Sequence, residues 1–150
     1  MPQIGDKAPD FTALTDKGER ITLSSLTGQK VVLYFYPKDE TTGCIKEACD
    51  FRDNFAAINE KGAVVLGVSI DSVQSHEGFR DHYGLPFTLV SDEDKSIVTA
   101  YNVWRERERN GQKFWGTART TFVVDEDGTI AKVFESVNPE GHSQEVLAAL

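Results

Sequence analysis

With 150 residues, 39% of them hydrophobic, the chain is long enough to bury one continuous core and gives no sign of a second domain. A formal net charge of −8, with no basic run to offset it locally, argues against nucleic acid, whose phosphates would be repelled. No apolar run approaches the ~20 residues of a membrane helix. The opening Met1-Pro2-Gln3-Ile4-Gly5-Asp6 lacks the apolar region of a signal peptide, so a cytoplasmic location is expected.

Taken in chain order, residues 11 to 14 and 19 to 23 predict a hairpin around Asp16-Lys17-Gly18. Residues 31 to 36, Val-Val-Leu-Tyr-Phe-Tyr, predict a strand buried on both faces. Pro37 ends it because proline cannot donate to a ladder. Thr41 and Thr42 are competent N-caps, and apolar Ala48, Phe51, Phe55 and Ile58 predict one helix running to Gly62. A second buried strand over 63 to 70, a helix over 72 to 83, a short strand over 87 to 90 and a helix over 95 to 101 follow. This alternation is an α/β signature. Arg105-Glu106-Arg107-Glu108-Arg109 alternates in sign and predicts a solvated strand edge or a hairpin arm turning at Asn110-Gly111. Strands over 119 to 125 and 130 to 135, joined by Glu126-Asp127-Gly128-Thr129, and a helix over 140 to 150 complete the chain. His76, His82 and His142 fall in segments predicted to lie at the solvated surface.

Chemistry concentrates at Cys44 and Cys49, the only cysteines. Cys44 falls in the first turn of a helix entered from a strand through Pro37 and Gly43. Unpaired N–H groups and the helix dipole favour a thiolate in such a position. The dipole is worth about 0.3 to 1 kcal/mol, at most ~2, and lowers a thiol's ordinary ~8.5 by only about one unit. A stable thiolate therefore asks for a nearby cation. In a continuous helix Cys49 is rotated about 140° from Cys44 and the Cα atoms lie about 8 to 9 Å apart, beyond the ~7 Å reach of a disulfide. A bridge would require the start of the helix to unwind. The plain alternatives are inert core thiols or a structural disulfide, the latter awkward at this spacing. Two cysteines without a neighbouring histidine do not make a structural zinc site, which wants four ligands.

The pattern Pro37-x-x-x-Thr41-x-x-Cys44, with Cys49 inside Glu47-Ala48-Cys49-Asp50-Phe51-Arg52-Asp53, resembles the peroxiredoxins, and among them the bacterioferritin-comigratory or peroxiredoxin Q group. The resemblance runs from Gly5-Asp6-Lys7-Ala8-Pro9-Asp10-Phe11 through Val68-Ser69-Ile70-Asp71-Ser72 and Tyr83-Gly84-Leu85-Pro86-Phe87 to Pro139-Glu140-Gly141-His142. It departs from the common pattern at Thr42 and Ile70, where proline is usual, and at Ile45, where threonine or serine is usual.

The resemblance implies a thioredoxin-like fold with an N-terminal hairpin and insertions, a central mixed sheet flanked by helices, in one domain over 1 to 150. It implies a thiol peroxidase acting on hydrogen peroxide and organic hydroperoxides. Cys44 would be the peroxidatic cysteine and Cys49 the resolving cysteine that bridges to it. Pro37 would shield the thiolate, the Thr41 hydroxyl would hydrogen-bond the sulfur and the peroxide, Arg119 would be the missing cation, and Glu47 would orient that arginine. Read without the family, Arg119 is an ordinary strand-end arginine, Thr41 a cap and Pro37 a strand terminator. No metal, haem or flavin cofactor is implied. The implied partners are the hydroperoxide and a thioredoxin or similar dithiol reductant, with the chain a monomer or weak homodimer.

Two other functions are consistent with a cysteine at a strand-to-helix junction. A thioredoxin-like disulfide reductase is one, although that class normally uses Cys-x-x-Cys, and four residues separate the cysteines here. A redox sensor is the other, in which helix opening exposes Phe51 and Phe55 to a partner.

Overall fold

The computed structural model describes residues 1–150. Its elements are β1 (Thr12–Thr15), β2 (Arg20–Thr22), a 3-10 turn (Leu23–Leu26), β3 (Lys30–Phe35), α1 (Thr42–Asp53), α2 (Phe55–Glu60), β4 (Ala63–Ser69) and α3 (Val73–Tyr83). There follow β5 (Thr88–Ser91), α4 (Ser96–Ala100), β6 (Trp104–Arg109), β7 (Gln112–Thr117), β8 (Thr120–Val124), β9 (Ile130–Phe134) and α5 (His142–Ala148). Seven strands form one mixed sheet in the order β2-β1-β5-β4-β3-β8-β9. The β3–β4 and β4–β5 pairs are parallel, and the outer pairs are antiparallel.

The central strand β3 shows why the sheet has a core on each face. Side chains alternate across a strand, so Val32 and Tyr34 join a cluster with Ala48, Phe51, Ile58 and Phe79 beneath α1, α2 and α3. Val31, Leu33 and Phe35 point the other way, into a cluster with Ile97, Tyr101 and Phe122. A strand buried on both faces is therefore apolar at every position, as its sequence predicts.

Three features of the fold differ from, or go beyond, the expectations. The helix expected to run to Gly62 breaks at Asn54, whose backbone (φ −113°, ψ 9°) separates α1 from α2. The Asn54 side chain competes with the backbone for the Asp50 carbonyl, donating to it at 2.9 Å, and also donates to Ser143 Oγ at the start of α5. Contact with a helix 89 residues away thus sets the break, and Gly62 ends α2 with a left-handed φ of 77°. The N-terminal hairpin is not a free appendage, because β1 pairs with β5 and extends the sheet. The β6–β7 hairpin turns at Asn110 and Gly111, both at positive φ as a type I′ turn requires. It forms a sheet of its own beside the main one, leaving Trp115 59% exposed. No helix is long and apolar enough to cross a membrane.

Candidate active site

The chain leaves β3 through buried Tyr36 and turns at exposed Pro37 into a loop over 37 to 41. Thr41 occupies the N-cap position with an extended backbone (φ −89°, ψ 151°), and Thr42 is the first helical residue. Cys44 therefore lies in the first turn of α1. It is 1% exposed and packed with Ala48, Phe51 and Tyr34. Cys49 lies further along the same uninterrupted helix, half-buried, and both cysteines are free thiols.

Sheet register brings the cation to the sulfur. Phe35 is paired with Thr120 across the antiparallel β3–β8 ladder, so Arg119, the residue just before β8, stands opposite the exit of β3. Its carbonyl accepts a hydrogen bond from Val137 N. Its Nη2 donates to Cys44 Sγ at 3.3 Å, and its Nη1 donates to Glu47 Oε1 at 2.7 Å. Burial opposes the guanidinium charge, but the charges of Glu47 and Cys44 outweigh it and hold Arg119 more firmly protonated than usual.

Glu47 is fully buried one helical turn after Cys44, and its second oxygen, Oε2, has no partner. Burial pushes its carboxyl up to about 7, against the lowering effect of Arg119. Deeper still, burial and the nearby Glu47 and Cys44 charges hold the Tyr34 phenol well above its ordinary range, as an uncharged hydroxyl.

Two residues of the site escape a reading based on chemistry-bearing side chains. A Cβ built on Gly43 would sit 3.1 Å from Arg119 Nη2 and 3.5 Å from Pro139 Cγ, so glycine leaves room for the guanidinium. A glycine inside the first turn of a helix is itself a sign of close approach. Pro139, from the loop after β9, closes over the same spot.

Some expectations need correction. The Thr41 hydroxyl does not hydrogen-bond the sulfur, and its side chain makes no helix cap. It donates to Lys38 O at 2.8 Å, closing the turn before the helix, which leaves its oxygen lone pairs free to accept. Of the three histidines expected at the surface, only His82 is exposed, beside Glu40 at 3.2 Å. His76 and His142 are buried. His76 lies three residues before Phe79, on the face of α3 that packs on the sheet. His142 donates to or accepts from Thr121 Oγ1 at 2.8 Å, edge-on to Phe51 and Phe134.

Asp39, Asp71 and His76 place donor atoms within 4.8 Å of one another, the one grouping whose composition would suit a metal ion. Their atoms are committed to hydrogen bonds with one another and with Tyr36, Ser69 and Ser75. An open, mostly polar cleft beside Arg119 is lined by Arg105, Glu106, Arg107 and Glu108 of β6 together with Ala118, Ser136 and Val137.

A buried thiol in a helix's first turn, one guanidinium on its sulfur and a carboxylate behind that guanidinium make a site for a nucleophilic cysteine. The profile of the AhpC/TSA family matches residues 4–133. The chain belongs to that family. It is 41% identical over 148 residues to peroxiredoxin Bcp of Bacillus subtilis strain 168, covering 99% of this chain and 94% of that one. Among solved structures it resembles peroxiredoxin Q of Xylella fastidiosa, with a TM-score of 0.93 and 35% identity over 99% of this chain and 94% of that one. It also resembles the bacterioferritin comigratory protein of Xanthomonas campestris, with a TM-score of 0.90 and 35% identity over 99% and 95% of the two chains. The fold is thus the thioredoxin-like fold of the peroxiredoxins, and this AhpC/TSA member is a thiol peroxidase.

Proposed function

We propose that Cys44 is the peroxidatic and Cys49 the resolving cysteine of a hydroperoxide reductase that works through an intramolecular disulfide. The observation that carries this reading is Arg119 Nη2 at 3.3 Å from a Cys44 sulfur that is almost wholly excluded from water. A guanidinium at that distance stabilises the thiolate and also the negative charge that develops on the peroxide oxygens. Glu47 holds the guanidinium in this orientation.

The Cys44 thiolate attacks the terminal oxygen of the hydroperoxide, the O–O bond breaks, and the departing alkoxide or hydroxide leaves as alcohol or water after taking a proton. Cys44 becomes a sulfenic acid. The Thr41 oxygen, whose own O–H is directed to Lys38 O, would accept from the hydroperoxide O–H, and Pro37 at the loop's start would shield the sulfur. Alkyl peroxide reduction is described for the Xanthomonas campestris protein, and hydrogen peroxide and organic hydroperoxides are the substrates proposed here. The Cys49 thiolate then attacks the Cys44 sulfur, hydroxide leaves and is protonated to water, and the disulfide forms. Because both residues sit in one unbroken helix, that step requires the first turns of α1 to unwind.

A thioredoxin-type dithiol would return the disulfide to two thiols by exchange. The chain would work in the cytoplasm as one domain over 1 to 150, a monomer or weak homodimer, without metal, haem or flavin. Intact mass after one equivalent of hydrogen peroxide tests the reading: loss of two hydrogens is expected. Gain of a single oxygen that persists would remove Cys49 from its role, and an unchanged mass would remove Cys44.

A further inference from the structure

Behind the loop that leads into α1 lies a buried charged network with no part in the steps above. His76, fully buried on α3, places Nδ1 2.7 Å from Asp39 Oδ2 and Nε2 2.9 Å from Val90 O. A carbonyl oxygen only accepts, so Nε2 carries a proton. An ionised carboxylate only accepts, so Nδ1 carries one too. Asp39 receives two further donors, Tyr36 OH at 2.6 Å on Oδ1 and Ser75 Oγ at 2.8 Å on Oδ2, the surroundings of an ionised carboxylate. A ring protonated on both nitrogens is an imidazolium.

The network fixes backbone as well as side chains. Asp39 N donates to Asp71 Oδ2 at 2.9 Å, and that oxygen also accepts from Ser69 Oγ at 2.6 Å. Asp39 is thereby tied to the end of β3 through Tyr36, to α3 through Ser75 and His76, and to the end of β4 through Asp71. The next residue, Glu40, has a left-handed φ of 63°, which a non-glycine residue keeps only where its surroundings hold it. Thr41 then caps α1 by position, and Cys44 follows within the first turn. The anchored residue thus stands immediately before the segment that must unwind.

We propose that His76 is a positioning residue for the peroxidase cycle: as a buried cation it latches Asp39, holds the 37 to 41 loop in the peroxide-reactive arrangement, and restrains the unwinding that joins Cys44 to Cys49. The proposal rests on the thiol-peroxidase reading above. The titratable groups that face the ring are Tyr36 just after β3, Asp39 from the loop and Asp71 just after β4, while β5 contributes only the Val90 carbonyl. Burial by itself would discharge His76, but the Asp39 hydrogen bond and charge, the Val90 carbonyl and Asp71 together raise it above its ordinary value. A raised value means that the latch is complete below about pH 6.5 and slackens as pH rises through the raised value.

The test uses the full chain as wild type, His76→Asn and Ser75→Ala. Ring ¹⁵N shifts at pH 7 are expected to show His76 protonated on both nitrogens. After one equivalent of hydrogen peroxide, His76→Asn is expected to form the disulfide about tenfold faster than wild type, as loss of a charge-assisted hydrogen bond implies. At high peroxide it is expected to end with a smaller sulfinic fraction. Ser75→Ala, which removes one donor from Asp39, should move both quantities in the same direction by about threefold, and decides alone should His76→Asn not fold by circular dichroism. A ring neutral at pH 7, or folded variants whose disulfide rate and sulfinic fraction match wild type while peroxide is consumed normally, overturns the proposal. A wild-type chain that gains neither oxygen nor disulfide from peroxide defeats the peroxidase reading itself, and the latch with it.

Discussion

Arg119 Nη2 lies 3.3 Å from Cys44 Sγ, the one side-chain hydrogen bond that sulfur receives, across 75 residues of sequence. Replacing Arg119 with alanine should lower the second-order rate with hydrogen peroxide at pH 7 by about a hundredfold, the scale of losing one preorganised donor to a developing charge. Arg119→Lys keeps the charge but offers one nitrogen in place of the two that reach Cys44 and Glu47, so it should recover only part of the loss. Stopped-flow kinetics on the three proteins checks this, and equal rates would take Arg119 out of the chemistry.

Glu47 makes a prediction about stability and pH. Its carboxyl is raised from 4.5 to about 7 in the folded chain, so between those values the folded state holds a proton that the unfolded state has released. Wild-type stability should fall as pH rises through that window, by an amount on the order of 3 kcal/mol, and level off above it. Glu47→Gln should lack this slope. Urea denaturation of both proteins at pH 4.5 and pH 8 measures the difference, and parallel pH profiles would contradict the raised value.

Gly43→Ala separates helix stability from site geometry. Alanine favours the helix by up to about 1 kcal/mol, but its Cβ would press on Arg119 Nη2 from 3.1 Å. Thermal stability should hold or rise while the peroxide rate falls about three- to tenfold, since small misplacements of a positioned group cost rate. A rate equal to wild type would show that the guanidinium has room to move.

Cys49→Ser should reduce the first equivalent of peroxide and then stall. Without a resolving thiol, Cys44 sulfenic acid accumulates and is carried on to sulfinic acid by excess peroxide. Mass spectrometry with increasing peroxide follows the two states, and continued turnover with a thioredoxin-type reductant would mean that another group resolves Cys44.

In the core, Gly67 of β4 lies under the Tyr34 ring, and a Cβ there would come within 2.8 Å of it. Tyr34 is itself stacked on Phe51 and Tyr36, so the ring has little freedom to retreat. Gly67→Ala should cost about 1 to 3 kcal/mol by overpacking, read as a lower denaturation midpoint.

By itself the sequence determined the order of strands and helices, and it located Cys44 at the start of a helix. Those features depend on signals a few residues apart: apolar spacing in β3 and α1, a proline that cannot join a ladder, a glycine able to take the left-handed backbone at position 62. The motif around the cysteines and the match at Arg119 also let a family resemblance nominate the site. Only the tertiary structure decided what surrounds that site. The break at Asn54, the pairing of β1 with β5, the Thr41 hydroxyl turned to Lys38, Gly43 beneath the guanidinium and the burial of His76 against Asp39 depend on groups that chain folding brings into contact. Such contacts are set by sheet register and by which helix face meets the sheet, and burial then alters the charges themselves. Local periodicity carries no record of either.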